Sequence, residues 1–485
     1  MGEVKPTLPR SLSETLHHDV EKWSSVEEVR IESIDHPYIA DIKRERRLVW
    51  RIDSRFLPAS MSIYFLCFID RSNIGNAKIL NSDTGDSLVQ ATRMTDHQYL
   101  IALMILFISY TIFEVPSNYM LKKFRPSRWI AFLMLGWGVM TMTLAATHNY
   151  GGVLVVRFLL GMFEAGLFPA LVYCLTFWYR PEERAIRIAF LLACATLGGA
   201  FGGAIAFGVG HMNRALGLQA WRWLFIIEGA PSVAAALLTF FYFPDYPEIA
   251  KWLSADEREI AVERLKGVAS LGHHKITWAE TVETLTDWRL YLHYAAFISI
   301  SAPFSSISLF APTIVEGLGY EGLDAQLFTV PPYAIAFVVT NANAYLSDKY
   351  EKRGWGASIA LLVAGVSFLV QGALPPDSFK TRYGLLCVAV SFSFASIPPL
   401  LSWLTANLRN TGASTLAVPL NVTIGQIGQF VGVFIYKTSE APGYPTGHYT
   451  NAAFLIAGAI VAQILRCIYI RRNKALGPTE QRWRV

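Results

Sequence analysis

The chain has 485 residues, of which 53% are hydrophobic and only 16% charged, against roughly 25% charged in an ordinary soluble domain. A water-soluble protein of this length must coat two or three domains with polar residues, whereas one that faces lipid needs charge only in its loops and tails, and the mean hydropathy of +0.34 fits the second case. The net charge of +5 is small and dispersed, which excludes a nucleic-acid-binding face, and the five cysteines (Cys67, Cys174, Cys194, Cys387, Cys467) lie in apolar stretches without metal-ligand spacing, so no metal or cofactor is expected.

Residues 1–55 are polar and read as a tail, expected to be disordered, without a cleavable signal. From Phe56 onward the chain is punctuated by runs of roughly 20 apolar residues, long enough to cross a bilayer as helices. They fall at 56–76, 98–120, 128–147, 152–178, 185–209 and 221–243, then at 289–312, 326–347, 356–373, 383–404, 413–436 and 450–470. The polar segment 244–288 separates the two sets, and 473–485 forms a second tail. The expected fold is therefore an all-α membrane protein of twelve transmembrane helices in two six-helix halves, 56–243 and 289–472. Within the linker, Ser254 and Glu257 have the spacing of a capping box. His273 and His274 read as solvated linker, because adjacent residues do not share a helix face.

Lys and Arg gather on alternate loops. Lys43, Arg44, Arg46 and Arg47 precede the first run, Lys122, Lys123, Arg125 and Arg128 follow the second, and Arg180, Arg184 and Arg187 follow the fourth. Lys349, Lys352 and Arg353 follow the eighth, and Arg471, Arg472 and Lys474 close the chain. Cytoplasmic loops retain positive charge, so both termini are expected in the cytosol.

Ionisable residues inside apolar runs are costly and usually face an aqueous cavity. Asp70 and Arg71 lie in the outer half of the first run; Arg157 and Glu164 lie in the fourth, seven residues and about 10 Å apart on one helix face. An arginine in a low-dielectric wall can hold a carboxylate through its planar fork, and a neighbouring buried carboxyl can carry a proton. The alternative is that Asp70/Arg157 or Glu164/Arg71 merely form a structural ion pair. Glu114 lies toward the cytosolic end of its run, where a carboxylate can stay solvated and act as a gate, and Tyr110 one turn earlier could present its hydroxyl to a cavity. Ser402, Trp403, Asn407 and Asn421 are the polar groups of the second half best suited to read a solute, with helix–helix hydrogen bonding as the alternative. Gly198, Gly199, Gly202 and Gly203, and again Gly425, Gly428 and Gly432, are small-residue stripes for close helix packing.

The basic loop Lys122-Lys-Phe-Arg-Pro-Ser-Arg128 has a counterpart in Asp348-Lys-Tyr-Glu-Lys-Arg353 at the equivalent place in the second half, although Lys122 stands where an Asp is usual and Ala344 where a Gly is. Six-plus-six halves with this loop signature resemble the major facilitator superfamily, whose substrates bind near the midplane between the halves. Phe68-Ile-Asp-Arg-Ser-Asn-Ile-Gly-Asn-Ala-Lys78, Arg157-Phe-Leu-Leu-Gly-Met-Phe-Glu-Ala-Gly-Leu-Phe-Pro169 and Trp221-Arg-Trp-Leu-Phe-Ile-Ile-Glu-Gly229 resemble the anion:cation symporter family. Together with Ala441-Pro-Gly-Tyr-Pro-Thr-Gly-His448, they are similar to its fungal allantoate permease branch. That resemblance implies a monomeric carrier of the plasma membrane that takes up a small organic anion, such as a ureido acid or a carboxylate vitamin, with protons. It implies proton coupling at Glu164 and Asp70 and anion binding at Arg71 and Arg157. It places Lys123, Arg128, Asp348, Lys349 and Arg353 in loops that latch the halves. A proton-coupled exporter on the same fold is the nearest rival, but the Gly-Pro pair usual in its fifth span is missing from Leu197 to Gly210. A membrane-embedded enzyme would need a metal site or a nucleophile and base at one depth, and none is apparent; a sensor that has lost transport is the remaining class.

Overall fold

The computed structural model describes residues 10–265, 282, 284–320, 322–408, 411–477 and 482–485, with side chains from Lys43 onward except at 122, 181, 182, 185 and 411–415; His273 and His274 lie outside the described residues. The helices in chain order are α1 (Arg10–Ile79), α2 (Leu88–Ala91), α3 (Asp96–Lys123), α4 (Pro126–Leu144), α5 (Tyr150–Glu164), α6 (Leu167–Trp178), α7 (Pro181–Gly210) and α8 (Ala220–Tyr242). They continue with α9 (Ala255–Glu263), α10 (Trp288–Glu316), α11 (Gly322–Leu327), α12 (Val330–Lys349), α13 (Arg353–Ala373), α14 (Phe379–Ala406), α15 (Thr411–Phe434) and α16 (Pro445–Ala475). Among the described residues, eleven segments are long and apolar enough to cross a membrane; α5 with α6, and α11 with α12, each make one of them.

The expected run at 128–147 forms α4, a nineteen-residue helix that is not among the eleven. Its start at Ser127 and Arg128 and its Gly136, Gly138, Thr141 and Thr143 dilute the apolar run. It is nonetheless deeply embedded: Ile130, Met134 and Trp137 are fully buried, and α4 packs along the length of α8. The backbone is helical from Arg10 onward, within the segment expected to form the N-terminal tail. Apart from Pro37, residues 10–55 hold no Pro or Gly to break a helix, and Glu, Lys, Arg and Leu are good helix formers.

In the first half α3 packs on α5 and α1 on α7; in the second, α10 packs on α15 and α13 on α14 and α16. The halves meet where α1 touches α10, α7 touches α12, and α3 touches α15. The contact of α7 with α11 is as close as glycine allows, because a Cβ on Gly203 would lie 2.8 Å from the Gln326 carbonyl oxygen. Beside it Gln326 Nε2 donates to the Asn76 carbonyl at 3.1 Å, closing the end of the bundle away from the linker. At the linker end Arg187 grips Asp53 with two bonds of 2.8 and 2.7 Å, and Arg51 reaches Glu257 of α9 at 2.7 Å. Ser254 and Glu257 complete the expected capping box of α9.

Candidate substrate site

The fourth expected run is broken in its middle. Ala165 is extended and Gly166 adopts φ +81, a left-handed conformation that favours glycine. Pro169 then falls in the first turn of α6, where its missing N–H costs nothing. The sequence Glu164-Ala-Gly-Leu-Phe-Pro169 thus ends one helix and begins another, leaving Glu164 at the last turn of α5. Non-helical backbone at this depth is tolerated where it is covered by protein or lines a cavity.

That break borders a cavity of 70 Å³ between the halves. Arg71 of α1 lines it and donates from Nε to Glu164 Oε2 at 2.8 Å. Its guanidinium also lies 5.0 Å from the centre of the Tyr110 ring, a cation–π contact. Glu164 is fully buried and its Oε1 has no hydrogen-bond partner. The second half contributes Ser301, Gln426 and Gln429, and the Oε1 atoms of both glutamines are buried and unpaired. Phe68, Phe168, Phe297 and Phe304 supply much of the apolar wall. Arg71 and Glu164 are the only charged residues among the described lining residues.

Of the residues singled out from sequence, Arg71, Tyr110 and Glu164 come together at this cavity. The Glu164/Arg71 ion pair forms, whereas Asp70 and Arg157 do not pair. Arg157 is fully buried and does not line the cavity; it donates from Nε to the Ala102 carbonyl at 3.3 Å, with both terminal nitrogens unpaired. Asp70 turns away from the cavity and accepts from Ser232 Oγ at 2.5 Å. Glu114, expected to stay solvated, is instead fully buried because α3 packs on α15 there, and Thr423 Oγ1 donates to it at 3.0 Å.

Ser402, Trp403, Asn407 and Asn421 do not line the cavity. Trp403 Nε1 and Asn407 Nδ2 donate to the Arg484 carbonyl at 2.9 and 3.1 Å, and the Arg484 N–H donates back to Asn407 Oδ1 at 2.8 Å. They clamp the C-terminal tail. Ser402 Oγ bonds within its own helix, to the Pro399 carbonyl at 3.2 Å. Asn421 is buried with its Oδ1 unpaired. Among the loop residues, Arg353 pairs with Asp348 at 2.8 Å. Lys123 and Lys349 lie over the Tyr119 and Tyr345 rings at 4.8 and 5.6 Å, and Arg128 is exposed.

Sequence reasoning passed over Gln426, Gln429 and Glu228. The two glutamines flank Gly428 in an otherwise apolar run, and Glu228 is a carboxyl within the run 221–243. The rule that flags polar groups in spans applies to all three.

The Major Facilitator Superfamily model matches residues 60–433. The chain is 54% identical over 445 residues to a protein named MFS transporter prlL from Fungal sp. (strain NRRL 50135), covering 90% of each. It is 32% identical to a putative tartrate transporter of Agrobacterium vitis, covering 90% of this chain and 99% of the relative. In fold it is similar to a bacterial homolog of the human lysosomal transporter Spinster, solved in an inward-facing and occupied conformation. That likeness has a TM-score of 0.59 at 16% identity and covers 87% of this chain and 96% of the other. Helices closing around a buried, charged slot fit a solute pathway, and with these matches they lead to one conclusion: the chain belongs to the major facilitator superfamily and is a multi-pass membrane transporter of a small molecule, not an enzyme.

Proposed function

We propose that this transporter imports a small organic anion together with protons, by alternating access, as a monomer of the anion:cation symporter type and its allantoate-permease-like branch. In this reading it resides in the plasma membrane with both termini cytosolic, and α4 completes a set of twelve spans in two related halves. The single observation that carries it is the Arg71–Glu164 pair inside the cavity. With Glu164 ionised, Arg71 is neutralised and a solute carboxylate has no free cation. When Glu164 takes a proton, the guanidinium fork is released to bind the anion. Proton and anion therefore favour each other's binding, which is the thermodynamic requirement of symport. The name of the Agrobacterium vitis relative, a putative tartrate transporter, is compatible with an organic-anion substrate.

Uptake of labelled nicotinate, pantothenate, allantoate and tartrate, each at acidic and neutral external pH, tests the reading. At least one should accumulate faster at acidic pH and stop accumulating with a protonophore. Glu164→Gln imitates the protonated carboxyl and cannot release a proton, so it should keep exchange of solute for solute while losing net accumulation. Accumulation that survives a collapsed proton gradient would overturn the coupling. Loss of binding and surface expression together in Glu164→Gln would reduce Glu164 to half of a structural ion pair.

A further inference from the structure

Residues 70 and 71 of α1 send their side chains to opposite sides. Arg71 reaches the cavity and Glu164; Asp70 enters the seam that α1 forms with α4 and α8. There its Oδ2 accepts from Ser232 Oγ at 2.5 Å while Oδ1 stays unpaired, and the residue is fully buried. Glu228 stands one turn before Ser232 on the same face of α8. It is 3% exposed, and neither of its oxygens has a hydrogen-bond partner. From α4, Trp137 Nε1 and Thr141 Oγ1 face Asp70, buried and without closing a hydrogen bond. Asp70 acts through space on Glu228, and Glu164 acts on Asp70; neither Asp70 nor Glu228 has an ion pair among the described residues.

Charge then decides the protonation state. Together α1, α5 and α8 bury three carboxyls (Asp70, Glu164 and Glu228), against the guanidinium groups of Arg71, Arg157 and Arg222, the last in the first turn of α8 and turned to the Ala145 carbonyl. Arg71 serves Glu164. Arg157 is turned to the Ala102 carbonyl of α3. Full ionisation would leave two carboxylates facing each other in a low-dielectric seam without a cation, which costs more than keeping a proton there. Two carboxyls that share one proton can also hydrogen-bond to each other, and Ser232, Trp137 and Thr141 can stabilise the one that stays ionised.

We propose that Asp70 and Glu228 form a proton-binding site distinct from the solute cavity, and that Glu228 is one of its two proton-holding residues. The site lies directly behind Arg71 on α1, so movement of α1 against α8 during alternating access is the step that exposes it to solvent. Its use in transport rests on the proton-coupled reading above; its existence as a proton site does not.

Infrared difference spectroscopy of the full chain in lipid, between about pH 5 and about pH 9, reads the carbonyl stretch of protonated carboxyls directly and needs no solute. The wild type should show a protonated buried carboxyl at neutral pH. That band should be lost or shifted in Glu228→Gln and in Asp70→Asn, and kept in Glu164→Gln. A spectrum of Glu228→Gln that superimposes on the wild type overturns the proposal. If Glu228→Gln fails to fold, the Asp70→Asn spectrum decides in the same way. A band removed by Glu228→Gln, with uptake of all four panel anions indifferent to a protonophore, would keep the proton site and overturn the coupling reading alone.

Discussion

The helices before and after the linker differ in chemistry. The spans of the first half bury Asp70, Glu114, Arg157, Glu164 and Glu228 and present Arg71 and Glu164 to the cavity, whereas the second half, which buries Arg382, faces the cavity with Ser301, Gln426 and Gln429, which carry no charge. The same contrast holds at the contact between α3 and α15, where Glu114 is the acid and Thr423 the hydroxyl donor. A buried charge is expensive and changes state with protons, while an amide or hydroxyl is cheaper to bury and keeps its state at any physiological pH. On the proposed reading of anion–proton symport, this division assigns energy coupling and the anionic end of a solute to the first half, and recognition of the neutral part of the solute to the second.

The largest effect should come from breaking the charged side. Arg71→Lys keeps the charge but replaces a planar fork by a compact ammonium. Loss of a charge-assisted bond worth about 1.5–3 kcal/mol corresponds to roughly ten- to hundredfold weaker anion transport. The protein should still reach the membrane, since its side chain is partly exposed to the cavity. A Lys variant that transports at the wild-type rate would show that the fork plays no part in binding, and the charged half would lose its main claim.

How much of this division could be read from the sequence depends on whether the signal was local. Charged residues in apolar runs announce themselves one by one, so Asp70, Arg71, Arg157 and Glu164 stood out, and the same test applied to the run 221–243 would have added Glu228. The Gly166 break was likewise written in a Gly-Leu-Phe-Pro string. Ser402, Trp403 and Asn407 show the limit. Their polar atoms looked available, but Arg484 lies 77 residues beyond Asn407, and only the folded chain brings that carbonyl to the end of α14. The side to which Arg157 points was equally illegible, because seven residues return to nearly the same face but do not fix the direction of a long, flexible side chain.

A smaller effect should sharpen the neutral side. Gln426→Ala removes one amide whose Oε1 is unpaired in the cavity. A neutral hydrogen bond contributes about 1 kcal/mol, so an apparent KM for the transported anion should rise roughly fivefold. Its pH profile should stay that of the wild type, because an amide does not titrate. A shifted pH profile in Gln426→Ala, measured as initial uptake across acidic to neutral pH, would mean that the second half takes part in coupling and would break the comparison.

The smallest effects should come from the two equivalent loops, where the halves again solve one problem differently. In the second half Asp348, in the last turn of α12, pairs with Arg353 at 2.8 Å; both side chains are partly exposed, at 24% and 19%. In the first half the equivalent position is Lys122, and the acid arrives from the linker: Asp245 accepts from the Ser127 N–H at 2.7 Å and from its hydroxyl at 3.0 Å. Asp245 thereby caps α4, whose own N-cap residue, Arg125, makes no side-chain capping bond. Removing a helix cap costs about 1 kcal/mol, whereas a partly exposed ion pair is worth about 0–1 kcal/mol and weakens with salt. Asp245→Ala should therefore lower the midpoint of thermal unfolding in detergent more than Asp348→Asn does. Added salt should narrow the Asp348→Asn difference and leave most of the Asp245→Ala one, since a cap to a backbone N–H is short-ranged and partly buried. The reverse ranking would mean that the ion pair in the second half is the stronger fastening, and that the acid supplied by the linker is a bystander to the packing of α4.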